Sequence, residues 1–443
     1  MKSWPPRPTL KKERFKLPKP SQTEKKPRAI VVGIGLKSDS FVELKESLVE
    51  LEELARSAGF EIVGSLAQVL PAYNPATLLG SGKVQEITQL AVESGAQTVI
   101  VDHALTGVQG RNLQTETGAV VLDRSQLILE IFAQRAQTYE GKIQVELARM
   151  MDQLPRMVGA WLGSLSRQGG GIGTRGPGET ALENDRRRIR KRVMQLKKQL
   201  EGVRSSRAQQ RELRKSQKIP SYALIGYTNT GKSTLLNKLA QSNVLAKDQL
   251  FATLDPTTRK IHLPDIENAV ITDTVGFIRK LPTHLIEAFK ATLEESAEAD
   301  VLLHVIDLSS PQMEQQIKIV NELIEMFGWA KKPIIHVFNK VDQANVSKQF
   351  QVKAFPRVFV SAKTGEGLEK LKKLMSNAAQ SLGTEVELFF PREHEHRIYE
   401  LGRESQISRT EPASSGTICY ASMTPAQVSR WQEFLVQDRK KYL

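Results

Sequence analysis

Short apolar runs alternate with amphipathic stretches over residues 29–122. The runs have the length and burial pattern of strands, and the stretches repeat with a helical period. Strands are predicted at 29–32, 60–69, 98–101 and 119–122, and helices at 41–57, 84–93 and 106–116. This alternation predicts an α/β domain with a largely parallel sheet. Residues 80–83 resemble part of a phosphate loop, but the spacing is incomplete, so we interpret them as the turn that opens a helix.

A helical repeat replaces this pattern at residues 123–218. Apolar residues recur at three- and four-residue steps on both sides of a glycine-rich interruption at 166–180. The repeat consists of Ile143, Leu147, Met150, Leu154 and Val158 before the interruption, and Leu182, Ile189, Val193, Leu196, Leu200 and Val203 after it. Two long helices with matching apolar stripes predict an antiparallel hairpin, with the glycine-rich segment at its tip.

Two further regions follow Pro220, where the composition changes from charged helix to apolar strand. Residues 219–381 again alternate, with strands predicted at 222–225, 269–272, 301–306, 334–338 and 358–360. Residues 384–443 are predicted to form a small α+β unit from strands at 386–390 and 417–421 and helices at 394–404 and 424–437. The expected fold class is therefore multidomain α/β, with a mostly parallel sheet covered by helices in the region 219–381.

Charge adds a possible partner to this picture. The 443 residues contain 63 Lys and Arg against 49 Asp and Glu, an excess that favours a polyanion such as RNA or acidic lipid, although it also simply aids solubility. Residues 1–28 are basic and proline-rich and predict a flexible tail. The second helix of the hairpin carries fourteen basic residues against four acidic ones. It therefore predicts a phosphate-backbone contact surface at least as well as a solvated helix face.

Cysteine content and hydropathy exclude other classes of protein. The only cysteine is Cys419, so an intramolecular disulfide or a cysteine-rich zinc site is excluded, and a reducing cytoplasm is expected. No apolar run approaches the length of a membrane-spanning helix. We therefore expect a soluble protein that meets membranes peripherally at most.

A complete phosphate-binding motif follows the strand at 222–225 and opens a helix. It consists of Gly226, Tyr227, Thr228, Asn229, Thr230, Gly231, Lys232 and Ser233. The glycines allow backbone amides to surround a β-phosphate. Lys232 supplies a positive charge between the β- and γ-phosphates, and the Ser233 hydroxyl suits Mg²⁺. Turn, lysine, hydroxyl, strand and helix all agree, which makes the motif specific.

Two segments after the phosphate loop are predicted to sense the γ-phosphate. The first comprises Phe251, Ala252, Thr253, Leu254 and Asp255, and the second comprises Asp273, Thr274, Val275 and Gly276. We expect Thr253 to bind Mg²⁺ directly, although Thr257 and Thr258 are equally possible on their chemistry alone. Asp273 would reach the ion through water, and the Gly276 amide would bond the γ-phosphate. Lys232, Thr253 and Gly276 are the predicted catalytic residues.

The residue after Gly276 is Phe277, at the position where many regulatory GTPases place a glutamine that orients the attacking water. An apolar ring cannot orient water. We therefore expect slow intrinsic hydrolysis, with the water positioned by another group or by a partner.

Base recognition is predicted at the ends of the last two strands of this region. The candidate residues are Asn339, Lys340, Val341 and Asp342, followed by Ser361, Ala362 and Lys363. The Asp342 carboxylate can accept two hydrogen bonds from guanine that adenine cannot offer, so adenine would leave it unpaired. All five elements stand in order at strand ends, which predicts a GTP site with Mg²⁺ as cofactor and GDP as product.

These motifs together resemble the translation-factor-related GTPases, and residues 170–180, 251–257 and 273–278 resemble the HflX family in particular. The resemblance implies a GTPase that binds the RNA of the large ribosomal subunit, inserts the hairpin tip toward the peptidyl-transferase region, and is stimulated by ribosomes. It implies a role in ribosome splitting, rescue or subunit maturation. We expect that the protein does not bind DNA and is a monomer when free. The family has been linked to ATP binding by its N-terminal region, but we find no convincing phosphate loop there.

The RNA contacts expected on this basis are Arg167, Gly169, Gly170, Gly171 and Arg175 at the tip and Arg186, Arg187 and Arg190 on the second helix. Two alternatives remain open. One is an RNA-binding or chaperone module in which nucleotide turnover is secondary, and the other is a GTPase that binds acidic membrane surfaces.

Overall fold

The protein is described from a computed structural model, which covers residues 26–38, 40–165, 177–216, 219–241, 250–251, 253–264, 266–381, 384–423 and 425–436. The basic tail up to residue 25, most of the glycine-rich interruption and Ala252 lie outside the described residues. Arg167, Gly169, Gly170, Gly171 and Arg175 are among the residues outside them.

The N-terminal domain is a parallel sheet with helices on its faces. Its elements are β1 (Arg28–Leu36), α1 (Phe41–Ser57), β2 (Glu61–Leu70), α2 (Ser81–Ser94), β3 (Thr98–Val101), α3 (Gly107–Thr117) and β4 (Val120–Asp123). The strand order is β2-β1-β3-β4, and all neighbouring pairs are parallel. Gly80 is the residue before α2, where the sequence predicted a turn rather than a phosphate loop. The expected α/β architecture is confirmed.

The described residues of the helical region form three helices where the sequence predicted two. They are α4 (Arg124–Arg135), α5 (Tyr139–Leu165) and α6 (Pro177–Ser216). The first predicted arm is interrupted because Ala136 leaves the helical conformation (φ −61°, ψ 105°). Helices α5 and α6 pack antiparallel, since Glu146 pairs with Arg192, whereas Met157, further along α5, lies near the earlier Ile189.

The apolar stripes of the hairpin face each other. Ile143 and Leu147 of α5 and Leu196 and Leu200 of α6 are buried in one core cluster. The side chains of Val158 and Leu182 lie outside the described part of the structure. Since the repeat predicted which faces pack, the hairpin follows from sequence periodicity.

The third domain carries a six-stranded sheet. Its elements are β5 (Ser221–Ile225), α7 (Lys232–Leu239), β6 (Thr257–Leu263), β7 (Ile266–Asp273), α8 (Thr283–Glu298), β8 (Val301–Asp307), α9 (Met313–Met326), β9 (Ile334–Asn339), α10 (Ser347–Gln351), β10 (Arg357–Phe359) and α11 (Leu368–Ser381). The order is β10-β9-β8-β5-β7-β6, parallel except for the antiparallel edge strand β6. Sequence analysis missed β6, because an exposed edge strand carries polar residues and lacks the apolar run of a buried one.

A small antiparallel sheet forms the last domain. Its elements are β11 (Thr384–Pro391), α12 (Arg397–Glu404), β12 (Gln406–Ala413), β13 (Gly416–Met423) and α13 (Pro425–Arg430), with sheet order β11-β13-β12. Strand β12 was not predicted, since its sequence is largely polar and contains Pro412. The helix predicted at 424–437 is shorter than expected: α13 ends at Arg430 and a 3₁₀ turn follows at Gln432–Phe434.

One hydrophobic core joins the first three regions. Phe132 of α4 makes edge-on ring contacts with Phe251, at a centroid distance of 4.7 Å, and with Phe289 of α8, at 4.6 Å. Leu54 of α1 and Phe277 belong to the same cluster. The packing places the N-terminal domain and the base of the hairpin directly against the loops that follow α7 and β7.

Candidate nucleotide-binding site

The loop between β5 and α7 wraps tightly around an open space. Gly226 has φ +145°, and a Cβ atom there would lie 3.2 Å from the Val305 carbonyl carbon and closer still to its oxygen. Only glycine fits this position. The Thr230 hydroxyl donates a hydrogen bond to the Tyr227 carbonyl (3.0 Å) and closes the loop on itself. The close approach at Gly226 and the Thr230 hydrogen bond thus hold the loop in a tight turn.

Lys232 begins α7 and is buried beneath the loop. Its Nζ donates to the carbonyl oxygens of Tyr227 (2.6 Å) and Gly226 (3.1 Å). Burial lowers the pKa of Lys232 to about 8, although the negative charge of Asp273 acts in the opposite direction. The ammonium is thus positioned by backbone carbonyls.

Three oxygen atoms from separate parts of the domain meet beside Lys232. Ser233 Oγ lies 2.6 Å from Asp273 Oδ2 and 2.8 Å from Thr253 Oγ1, which itself lies 2.8 Å from Asp273 Oδ2. The Thr257 hydroxyl lies 3.5 Å from the Asp255 carbonyl oxygen, and the Thr258 hydroxyl pairs with Thr272 Oγ1 across the sheet. Geometry thus favours Thr253, which the sequence alone could not separate from its neighbours.

This oxygen cluster fits a magnesium ion. Asp273 is 1% exposed, and its Oδ1 is buried without a hydrogen-bond partner in the described structure. Burial raises the pKa of Asp273 despite the nearby Lys232, so a cation at this point would compensate the buried charge. The described residues contain no group of three or more His, Cys, Asp or Glu side chains that could hold a metal. One carboxylate with two hydroxyls suits Mg²⁺, which usually takes its remaining ligands from phosphate and water.

The segment after Asp273 lies against the phosphate loop. The Phe277 amide donates to the Gly226 carbonyl (3.0 Å), and the Thr228 amide donates to the Phe277 carbonyl (2.8 Å). The Phe277 ring is 2% exposed and packs in the core that joins the domains. Its side chain therefore anchors the segment and does not face the phosphate side of the loop.

The opposite end of the space is formed by the loops after β9 and β10. Asn339 links them to the phosphate loop, since its Nδ2 donates to the Thr230 carbonyl (2.8 Å) and its Oδ1 accepts from the Ala362 amide (2.9 Å). The Ser361 hydroxyl donates to Asp342 Oδ1 (2.7 Å). Lys340 pairs with Asp307 (2.8 Å). A carboxylate is thereby oriented at the end away from Lys232.

These loops enclose one cavity of about 490 Å³, a size typical of ligand sites. The predicted residues that line it are Thr228, Asn229, Gly231, Lys232, Ser233, Phe251, Thr253, Thr274, Gly276, Asn339, Lys340, Asp342, Ala362 and Lys363. Thr234 and Gln343 also line it and were not predicted, although each directly follows a recognised motif.

Several predicted residues do not line the cavity. Gly226, Tyr227, Thr230, Asp273, Val275, Val341 and Ser361 belong to the surrounding loops and strand ends, and Ala252 is outside the described residues. Leu254 is 2% exposed in the core, and Asp255 bonds to the residues that precede α5. The predicted segment 251–255 is therefore divided between the cavity and the helical region.

Sequence reasoning missed a buried ionic network that joins the N-terminal domain to this site. Arg124 pairs with Glu50 (2.6 Å) and with Asp102 (2.7 Å), and Lys280 also pairs with Asp102 (2.7 Å). The Tyr227 hydroxyl of the phosphate loop bonds to Glu50. The domain thus contacts both the phosphate loop and the segment after Gly276. No local motif signals such a network, because its members lie far apart in sequence.

The predicted RNA contacts on α6 are mostly accessible. Arg187 and Arg190 are exposed, whereas Arg186 is half-buried. Some of the basic run is used internally, since Arg192 pairs with Glu146 and Lys197 pairs with Glu287. The free positive surface is smaller than the composition suggests. None of the helices in the described part of the chain combines the length and apolarity needed to cross a bilayer.

Comparison with known proteins gives matches along most of the chain. Three family models match: "GTP-binding GTPase N-terminal" over residues 45–133, "GTP-binding GTPase Middle Region" over 135–214 and "50S ribosome-binding GTPase" over 221–340. The protein named GTPase HflX from Caldanaerobacter subterraneus is 43% identical over 411 residues, which cover 93% of this chain and 94% of that relative. Its namesake from Escherichia coli is 44% identical over 78% of this chain and 81% of that relative. The one from Alkalihalophilus pseudofirmus is 51% identical over 68% and 71%, respectively.

Proposed function

Because the chain belongs to the HflX family of GTPases, we propose that it binds Mg·GTP in the cavity described above and uses hydrolysis to GDP and phosphate as a conformational switch on the large ribosomal subunit. The protein is a GTPase, as the sequence motifs predicted. We further propose the roles of individual residues, the binding of a magnesium ion and the event on the ribosome.

One observation carries the assignment of the site: its two ends carry different chemistry at opposite sides of one cavity. Lys232, Ser233 and Thr253 line one end, where Asp273 bonds to both hydroxyls, and Asp342 lines the other. The first set suits phosphates with a divalent cation, and the second suits a base that offers two adjacent donors. Asn339 bonds to the phosphate loop at Thr230 and to the loop after β10 at Ala362, so it connects the two ends.

The proposed roles follow from these positions. The backbone amides of residues 228–231 and the N-terminus of α7 bind the β-phosphate, and Lys232 contacts the β- and γ-phosphates. Ser233 and Thr253 would hold Mg²⁺, with Asp273 acting through water. The ion would neutralise charge that develops on the phosphates. The Gly276 amide would bond the γ-phosphate, so that Thr253 and Gly276 respond to its loss.

Phe277 supports a slow intrinsic rate. Its ring is fixed in the core, so residue 277 brings no polar group to an attacking water. We propose that ribosomes accelerate the reaction by positioning this water or by reshaping the segment around Gly276. A stimulated rate that exceeds the basal rate only in the presence of large subunits is the expected kinetic result.

The ribosomal role rests on the match of residues 221–340 to "50S ribosome-binding GTPase". The exposed arginines of α6, together with the tip residues, are proposed to contact ribosomal RNA through its phosphates. We propose splitting or rescue of ribosomes, or subunit maturation, by a protein that is a cytoplasmic monomer when free. Light scattering of the purified protein measures its molar mass in solution and so tests whether it is a monomer.

Nucleotide affinities of two variants test the site. Lys232→Ala should lower the affinities for GTP and GDP together. Asp342→Asn should lower the affinity for both guanine nucleotides and raise the affinity for xanthine nucleotides, because an amide donor matches the xanthine carbonyl. Titration calorimetry with GTP, GDP, XDP and ATP measures this. The assignment of Asp342 is wrong if Asp342→Asn keeps the guanine preference of the wild type.

Sedimentation with ribosomes tests the switch. Protein with a non-hydrolysable GTP analogue should co-sediment with large subunits through sucrose, and protein with GDP should not. Equal co-sedimentation in both states would instead support an RNA-binding module in which nucleotide turnover is secondary. Flotation with acidic liposomes at physiological salt should leave the protein unbound, and binding there would favour the membrane alternative.

A further inference from the structure

Asp255 connects the loop before β6 to the beginning of α5. Its Oδ2 accepts hydrogen bonds from the backbone amides of Gln137 and Thr138, both at 3.0 Å. Its Oδ1 accepts a hydrogen bond from the Thr138 hydroxyl. These three donors belong to the break between α4 and α5, more than a hundred residues earlier in the chain. A carboxylate at this place also interacts favourably with the positive end of the α5 helix dipole.

The contact is built into α5 as well. The Thr138 hydroxyl accepts from the Gly141 amide (3.0 Å) and so caps the first turn of α5 while it donates to Asp255. Gly141 leaves space for the carboxylate: a Cβ atom there would lie 3.2 Å from the Asp255 carboxyl carbon and nearer still to Oδ1, inside van der Waals contact. Residues on both sides are therefore suited to one close approach.

Asp255 lies only two residues after Thr253, whose hydroxyl forms hydrogen bonds with the side chains of Ser233 and Asp273. Leu254, between them, is 2% exposed in the core. The three residues thus have three separate anchors: the oxygen cluster, the core and α5. With such short spacing, the position of Asp255 restricts where the Thr253 hydroxyl can go.

We propose that Asp255 is a positioning residue: through its bonds to Thr138 and Gln137 it holds Thr253 where the GTP-bound state needs it, and the same contact passes the nucleotide state to the base of the α5–α6 hairpin. This inference rests on the proposed function, in which Thr253 is needed for Mg·GTP and not for GDP. Coupling of this kind is reciprocal. If GTP strengthens the binding of a ligand to the hairpin by some factor, that ligand strengthens GTP binding by the same factor.

Variants on either side of the contact test the proposal in the full-length protein. Asp255→Ala removes all three bonds, Thr138→Val removes the hydroxyl, and Gly141→Ala displaces the carboxylate without altering either partner. Each should weaken binding of a non-hydrolysable GTP analogue with Mg²⁺ by about tenfold, the effect of losing a charge-assisted hydrogen bond. Each should leave GDP affinity within about twofold, because GDP binding does not require Thr253.

Two control variants separate positioning from ordinary helix stability. Thr138→Ser keeps the hydroxyl and should retain the ratio of analogue to GDP affinity found in the wild type. Thr106→Val removes a matched cap, since the Thr106 hydroxyl accepts from the Gln109 amide at the start of α3. It should lower the melting temperature and leave the affinity ratio unchanged. A ratio that shifts as much in Thr106→Val as in Thr138→Val would show a structural role only and overturn the proposal.

The reciprocal arm uses large ribosomal subunits. In the wild type, subunits should raise the affinity for the analogue, and in Asp255→Ala this gain should shrink by about tenfold. Failure of the proposed function would appear in the wild type, as no analogue binding or no effect of subunits. Failure of this inference would appear as normal wild-type behaviour together with an unchanged ratio and an unchanged gain in Asp255→Ala, Thr138→Val and Gly141→Ala.

Discussion

Asn339→Ala tests whether the two ends of the cavity depend on each other. Asn339 is 2% exposed, and its side chain holds the Thr230 carbonyl at 2.8 Å and the Ala362 amide at 2.9 Å. The variant removes both bonds and leaves a buried acceptor and a buried donor without their partner. Each lost bond costs about 0.5–1.5 kcal/mol, and each stranded group adds to this. The total is about 2–4 kcal/mol, which corresponds to about 30- to 1000-fold if it appears in nucleotide affinity.

Fluorescence titration with labelled GDP and GTP measures the change, and chemical denaturation without nucleotide shows how much of it appears as lost stability. The loss should be equal for GDP and GTP, and the preference for guanine over adenine should remain, because Asp342 is untouched. Asn345→Ala is the matched control: Asn345 Oδ1 accepts from the Ser347 amide (3.2 Å) at an exposed position, so the cost should stay below about 0.5 kcal/mol. The reasoning is refuted if Asn339→Ala lowers neither nucleotide affinity nor stability by more than the control does.

Three further predictions concern buried charge. Arg124→Met leaves Glu50 and Asp102 without their main partner, so the free energy of unfolding in urea should fall by about 3–5 kcal/mol. The control variant Arg149→Met breaks a half-exposed pair with Glu130 and should lower the free energy of unfolding by at most about 1 kcal/mol. Burial alone would raise the pKa of Asp102, but Arg124 and Lys280 outweigh it and hold that pKa below its usual value. This carboxylate therefore contributes stability above its unfolded-state pKa of about 4, and this contribution is lost as the pH falls below that value. In acid titration, the free energy of unfolding of Asp102→Asn should therefore fall less steeply than that of the wild type. An equal slope would contradict this. Burial lowers the pKa of Lys232 to about 8, and a bound phosphate favours the charged form of this side chain. GDP binding at pH 8.5–9 should therefore take up a proton. Calorimetry in two buffers of different ionisation enthalpy detects this uptake as different apparent binding enthalpies.

The sequence alone was enough to predict the multidomain α/β fold, the hairpin and the residues of the candidate site. The phosphate loop and the segments 273–276, 339–342 and 361–363 each lie at the end of an apolar strand. Parallel strands bring their carboxyl ends to one edge, so short motifs found separately in the sequence meet in space. These predictions needed only local patterns and a topological rule.

Tertiary structure decided the features that depend on distant partners. Nothing near Asp255 in the sequence indicates that its carboxylate reaches Thr138, and nothing near Tyr227 indicates Glu50, which is 177 residues away. Strands β6 and β12 were missed for a related reason, since edge strands gain stability from the neighbour with which they pair rather than from an apolar run of their own. Periodicity records which face of an element is buried. It does not record which element covers that face, and that pairing is what joins the site to the N-terminal domain and to the hairpin.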